Sequence, residues 1–68
     1  MKISACNQLR GTVETVDLGV VTAKVGIRVG DNLLDSVITR QSVEDLNIKV
    51  GQEVTAVIKS TEVMLMVD

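Results

Sequence analysis

Val21-Thr22-Ala23-Lys24-Val25-Gly26-Ile27-Arg28-Val29 alternates without a break. Val21, Ala23, Val25, Ile27 and Val29 share one parity, and Thr22, Lys24, Gly26 and Arg28 take the other. A period of two is the pattern of a half-buried strand. Gly30-Asp31-Asn32 follows, three residues that tolerate positive φ, and predicts a tight hairpin turn. A third strand is expected over Leu33 to Thr39. It is apolar on both faces, as if one face met a neighbouring subunit.

Upstream, Ile3, Ala5, Leu9 and Val13 alternate with Ser4, Cys6, Gln8, Arg10, Thr12 and Glu14, which predicts a first strand. Gly11 inside it suggests a bulge or a close backbone approach, and Asp17-Leu18-Gly19 reads as the turn. Downstream, Gln41 to Asn47 breaks the strand pattern. Ser42 is expected as N-cap, with Glu44 and Asp45 in the first turn and Val43 and Leu46 as the inward stripe of a short helix. After a turn at Gly51, a fourth strand is expected over Glu53 to Lys59, with Val54, Ala56 and Ile58 on one face. A final strand is expected over Val63 to Val67. Three strands, a helix and two strands make an all-β, five-stranded OB-like Greek-key barrel, with the short helix between strands three and four. An SH3-like barrel is the competitor. Residues 1–68 read as a single domain.

A chain of 68 residues buries only about 60% of the surface it exposes when unfolded and needs added support. One cysteine forms no internal disulfide, and with no histidine a structural zinc lacks its usual ligands. Oligomerisation remains, and a hydrophobic content of 46% with mean hydropathy of +0.33 favours it. No aromatic residue is present and the net charge is −2, which argues against a nucleic-acid surface. No secretory signal opens the chain, and no run approaches the roughly 18 apolar residues of a membrane span. The unpaired thiol fits a reducing compartment, so the cytoplasm is expected.

Two fragments look like parts of one oxyanion site. Ile3 to Gly11 puts the Ser4 hydroxyl, backbone amides and the Asn7 side chain on a strand. Lys59-Ser60-Thr61 supplies an ammonium, two hydroxyls and turn amides, all donors to a tetrahedral anion. Thr39 can add a further hydroxyl. Cys6 has no histidine to activate it, so catalysis is not expected. No metal-ligand cluster is evident.

The motif Ile-Ser-Ala-x-Asn-Gln-Leu-x-Gly at Ile3 to Gly11, Gly19-Val20-Val21-Thr22-Ala23, Leu46 to Gly51, and Val-Thr-Ala-Val-Ile-Lys-Ser-Thr at Val54 to Thr61 closely resemble the molbindins. These are small Mop-domain proteins that bind molybdate and tungstate in the cytoplasm. The resemblance covers nearly the whole chain. It implies a free-standing molbindin that stores molybdenum and maintains its homeostasis. The molecule would be a homohexamer, a trimer of dimers, with oxyanion sites between subunits. By position it assigns Ser4, Ala5 and Cys6 to the anion from one subunit and Lys59 and Ser60 from a neighbour, with Thr39 assisting and Asn7 as a possible addition. The implied ligand is the oxyanion, held through its oxo groups, with no organic cofactor. One departure matters: where the family usually has Arg, this chain has Cys6. A hydrogen bond to a charged group is worth about 1.5–3 kcal/mol, so the site is expected to be weaker by about one to two decades. The alternative is a structural or interaction module with its anion site lost through Cys6.

Overall fold

The computed structural model describes residues 6–68. The alternating stretch Val21 to Val29 forms β2 (Thr22–Val29), placed between β1 (Asn7–Leu18) and β3 (Asn32–Thr39). A helix, α1 (Arg40–Leu46), leads to β4 (Glu53–Ile58), and one 3-10 turn covers Ser60–Glu62. The four strands form one antiparallel sheet in the order β3-β2-β1-β4. The domain is therefore all-β with one short helix.

Ala23, Val25 and Ile27 of β2 are buried with Val13 and Val43, and this cluster is the core. Gly30 and Asp31 join β2 to β3 as a two-residue loop, with Val29 opposite Asn32. Gly30 has φ +60°, a conformation that costs glycine nothing and any side chain something.

β1 serves two neighbours. Asn7 to Thr12 pair with β4, and Thr12 to Leu18 with β2. The expected disturbance at Gly11 is a close approach: a Cβ there would stand 2.5 Å from the Arg28 carbonyl oxygen. The bulge itself lies further on. The register with β2 shifts between Val13 and Thr15, leaving Glu14 as the extra residue. One extra residue reverses the facing of all that follows. Val13 is buried by odd parity, and Val16 then packs on the core by even parity. β1 also runs through Asp17 and Leu18, so the turn falls at Gly19 to Val21.

The expected helix is present, but its cap is Thr39, not Ser42. Thr39 has extended backbone, and its Oγ1 accepts from the Ser42 amide at 3.0 Å. The last residue of β3 thus starts the helix. Glu44 and Asp45 consequently lie outside the first turn. Of the expected stripe, Val43 is buried whereas Leu46 is 63% exposed. Asn47 ends the helix in the left-handed region at φ 54°, and the Ile48 amide then bonds the Val43 carbonyl at 3.0 Å. This is the closure that Asn tolerates best after glycine. Two bonds with Val13, from its amide to Gln52 O and from the Gly51 amide to its carbonyl, return the chain to β1.

Residues 63–68, which include the fifth strand expected over Val63 to Val67, carry no regular secondary structure. Met64, Leu65, Met66 and Val67 are 90–93% exposed. A strand is held by its ladder, and these residues pair with none of β1 to β4.

Candidate functional site

The β1–β4 register brings the two sequence fragments together. Asn7 faces Ile58 in the first rung. Cys6 directly precedes that rung and Lys59 directly follows it, so both leave the ladder at the same end. Ser4 and Ala5, expected beside them, lie outside the described residues. Asn7 is half-buried at the rung, and Cys6 is a free, exposed thiol.

Lys59 sits in extended backbone as the N-cap of the 3-10 turn and caps it with no side-chain bond. Its carbonyl accepts from the Glu62 amide at 2.9 Å, and Ser60 O accepts from the Val63 amide at 3.4 Å. The first amides of such a turn, those of Ser60 and Thr61, have no acceptor within it. Lys59 and Ser60 are both exposed.

The charge pattern leaves three cations among the described residues, Arg40, Lys49 and Lys59, outside any ion pair. Arg10 faces Glu53 at 3.9 Å, Lys24 faces Asp35 at 3.7 Å, and Arg28 grips Glu14 through Nε and NH2. Among the described residues Lys59 has no ion-pair partner. Arg10 reaches towards the far end of β4 and does not stand in for the guanidinium missing at Cys6. The Arg28 hydrogen bond lowers the Glu14 pKa below its ordinary value, and Glu14 raises that of Arg28.

Thr39 is placed differently. In the ladder it lies opposite Thr22, next to the Leu18–Ala23 rung, at the other end of β1 from Lys59. Its hydroxyl serves the helix cap and lies 2.7 Å from Ser42 Oγ. No hydrogen bond joins it to Lys59 or Ser60 among the described residues. Sequence reasoning missed this capping role, although a hydroxyl residue just ahead of the helical stretch was the available signal. It also missed Arg40, whose amide bonds Val21 O at 2.8 Å and whose guanidinium reaches Gly19 O at 3.2 Å. Those bonds tie the first turn to the helix start.

The described half of the site is therefore an ammonium, hydroxyls and turn amides, with no base beside a nucleophile. Among the described residues no three His, Cys, Asp or Glu side chains gather as a metal site, and no helix is long and apolar enough to cross a membrane.

A small antiparallel β-domain with one short helix is the class that the fold defines. The TOBE domain model matches residues 3–65. The chain is 51% identical over 67 residues to molybdenum-pterin-binding protein 1 of Clostridium pasteurianum, covering 97% of this chain and 98% of that one. Its fold superposes with a TM-score of 0.90 on MopII from Clostridium pasteurianum, at 49% identity over 97% of this chain and all of that one. For a molybdate-binding protein from Sporomusa ovata the TM-score is 0.93, at 39% identity, covering 97% and 98% of the two chains. The chain belongs to the TOBE-domain family and, within it, to the Mop-domain molbindins.

Proposed function

We propose that this chain binds molybdate or tungstate as the intact tetrahedral dianion, as a cytoplasmic store that buffers molybdenum rather than as an enzyme. One observation carries the reading: Lys59, a cation without an ion-pair partner among the described residues, starts a turn whose first amides, those of Ser60 and Thr61, have no acceptor within it, so the end of β4 presents donors. The names borne by its relatives, molybdenum-pterin-binding and molybdate-binding, supply the class of ligand.

Lys59, Ser60 and the turn amides donate from one subunit; Ser4, the Ala5 backbone and the weak Cys6 donor approach from a neighbour, and Thr39 assists from its own end of the sheet. Asn7 supports the strand start. Every contact ends on an oxo group, so the metal needs no protein ligand. Cavity size then favours molybdate and tungstate over the smaller sulfate. In this reading the shell is shared between chains of a hexamer built as a trimer of dimers, as the family resemblance implies. A fifth strand added to β3-β2-β1-β4 gives the five-stranded OB-like barrel, since the returning β4 already lies beside β1 in Greek-key manner.

Native mass spectrometry on anion-free protein, titrated with molybdate, tungstate and sulfate, tests this. A hexamer gaining molybdate or tungstate but not sulfate is the expected result. A hexamer that stays bare sinks the storage reading and leaves an interaction module. Two substitutions set the scale: Lys59→Ala is expected to weaken binding about 10- to 150-fold, and Cys6→Arg to tighten it by about one to two decades.

A further inference from the structure

The 3-10 turn that starts at Lys59 also carries a carboxylate. Lys59 is its N-cap, and Glu62, three residues on, is its last residue. The Glu62 amide bonds the Lys59 carbonyl at 2.9 Å, which fixes that spacing. With three residues to a turn, side chains at i and i+3 lie over one another. Lys59 and Glu62 accordingly line the same groove, together with residues of β3 and β4. Both are exposed, and among the described residues neither side chain has a hydrogen bond or an ion pair, with each other or elsewhere.

A free carboxylate stacked beside Lys59 acts against an anion in two ways. It competes for the ammonium, and it repels a dianion that settles there. Both effects are Coulombic, weaken with salt, and are larger for a charge of −2 than for a charge of −1. A store must also release what it holds, and an opposing charge loosens the site without removing a donor.

We propose that Glu62 sets the affinity of the anion site: its carboxylate competes with the oxyanion for Lys59, so the site binds more weakly than its donors alone allow. The inference rests on the anion reading proposed above and adds to it the residue that opposes binding.

Isothermal titration of the full chain with molybdate, and separately with tungstate, compares wild type with Glu62→Gln, which keeps the size and removes the charge. At low salt Glu62→Gln is expected to bind about 2- to 10-fold more tightly, and the gain to shrink in about 0.5 M salt. Glu44→Gln removes one charge from α1 as a control for net charge and is expected to gain less than about 2-fold. In a Lys59→Ala background the gain from Glu62→Gln is expected to fall, since the shared ammonium is gone. An unchanged or weaker affinity in Glu62→Gln overturns the proposal, as does a gain that Glu44→Gln matches or one that persists in full without Lys59. If neither wild type nor Glu62→Gln binds either anion, the anion reading falls and this inference with it. Wild-type binding that Lys59→Ala weakens and Glu62→Gln does not strengthen overturns the inference alone.

Discussion

The two ends of β1 are built differently. At the Leu18 end, β2 and β3 pair over their full lengths, and Arg40 ties the turn to the helix. At the Asn7 end, the ladder with β4 ends at the Asn7–Ile58 rung, Lys59 has no ion-pair partner among the described residues, and the chain runs on into exposed Met64 to Val67. Local interactions satisfy the first end within one chain. The second end carries donors and apolar surface that one chain does not use. In a marginal 68-residue domain such surface is costly unless another molecule covers it. The closed half is the scaffold, and the open half is where the proposed ligand would act.

Matched truncations test that division most strongly. Ile27→Ala, in the closed half, removes a core side chain and is expected to cost about 2–5 kcal/mol, lowering Tm by at least about 8 °C. Ile58→Ala, in the open half, is expected to cost less in dilute protein, since Ile58 is only half-buried, and more as concentration rises if the proposed oligomer covers it. Thermal melts over a dilution series read both. Equal, concentration-independent losses would break the comparison.

The next effect concerns the bend of β1. At Gly11 a new Cβ would meet a backbone oxygen and the side chains of Ile27 and Val29 within 2.9 Å. Two of those neighbours are branched core side chains and the third cannot rotate away. Gly11→Ala is expected to cost about 1–3 kcal/mol in a denaturant titration. A neutral result would mean that β1 lies further from β2 than this packing requires.

What was legible in the sequence follows the same division. β2 could be read residue by residue because Ala23, Val25 and Ile27 face one core and the polar residues face water. The β2–β3 loop was equally plain, since Gly30-Asp31 has its own backbone chemistry. The bulge at Glu14 was not legible, because nothing in Val13-Glu14-Thr15 marks which residue lacks a partner; only Val16, out of phase with Val13, hints at it. Thr39 was hidden by serving two elements at once. The tail was read as a strand from its composition, but composition does not say whether a ladder forms beside it. For the site, the register brought Cys6 and Lys59 to one rung, while Thr39 stands at the other end of the ladder.

Thr39 gives a smaller, sharper test. Thr39→Ala removes the acceptor of the Ser42 amide and is expected to cost about 1 kcal/mol, whereas Thr39→Ser keeps the cap and stays near wild type. Both melts are taken without oxyanion. Any further loss of molybdate affinity in Thr39→Ser, beyond the stability change, would assign the residue's methyl a role at the anion.

The smallest expected effect is the pH response of the bulge. Glu14, the unpaired residue of β1, accepts from Arg28 on β2, and that bond holds its carboxyl below the ordinary glutamate value. A depressed folded pKa means that the unfolded chain takes up the proton first. The contribution is therefore whole above about pH 4.3 and is lost as pH falls through the lower folded value. Other carboxylates titrate in the same range, so the comparison is with Glu14→Gln, which removes this group alone. The wild-type Tm is expected to fall slightly more steeply than the variant's below about pH 4.5, and high salt should remove the difference, since the pair is open to solvent. Parallel curves at low salt would show that Arg28 and Glu14 do not hold each other in solution. The bulge would then rest on the Val13 backbone bonds to Gln52 and Gly51.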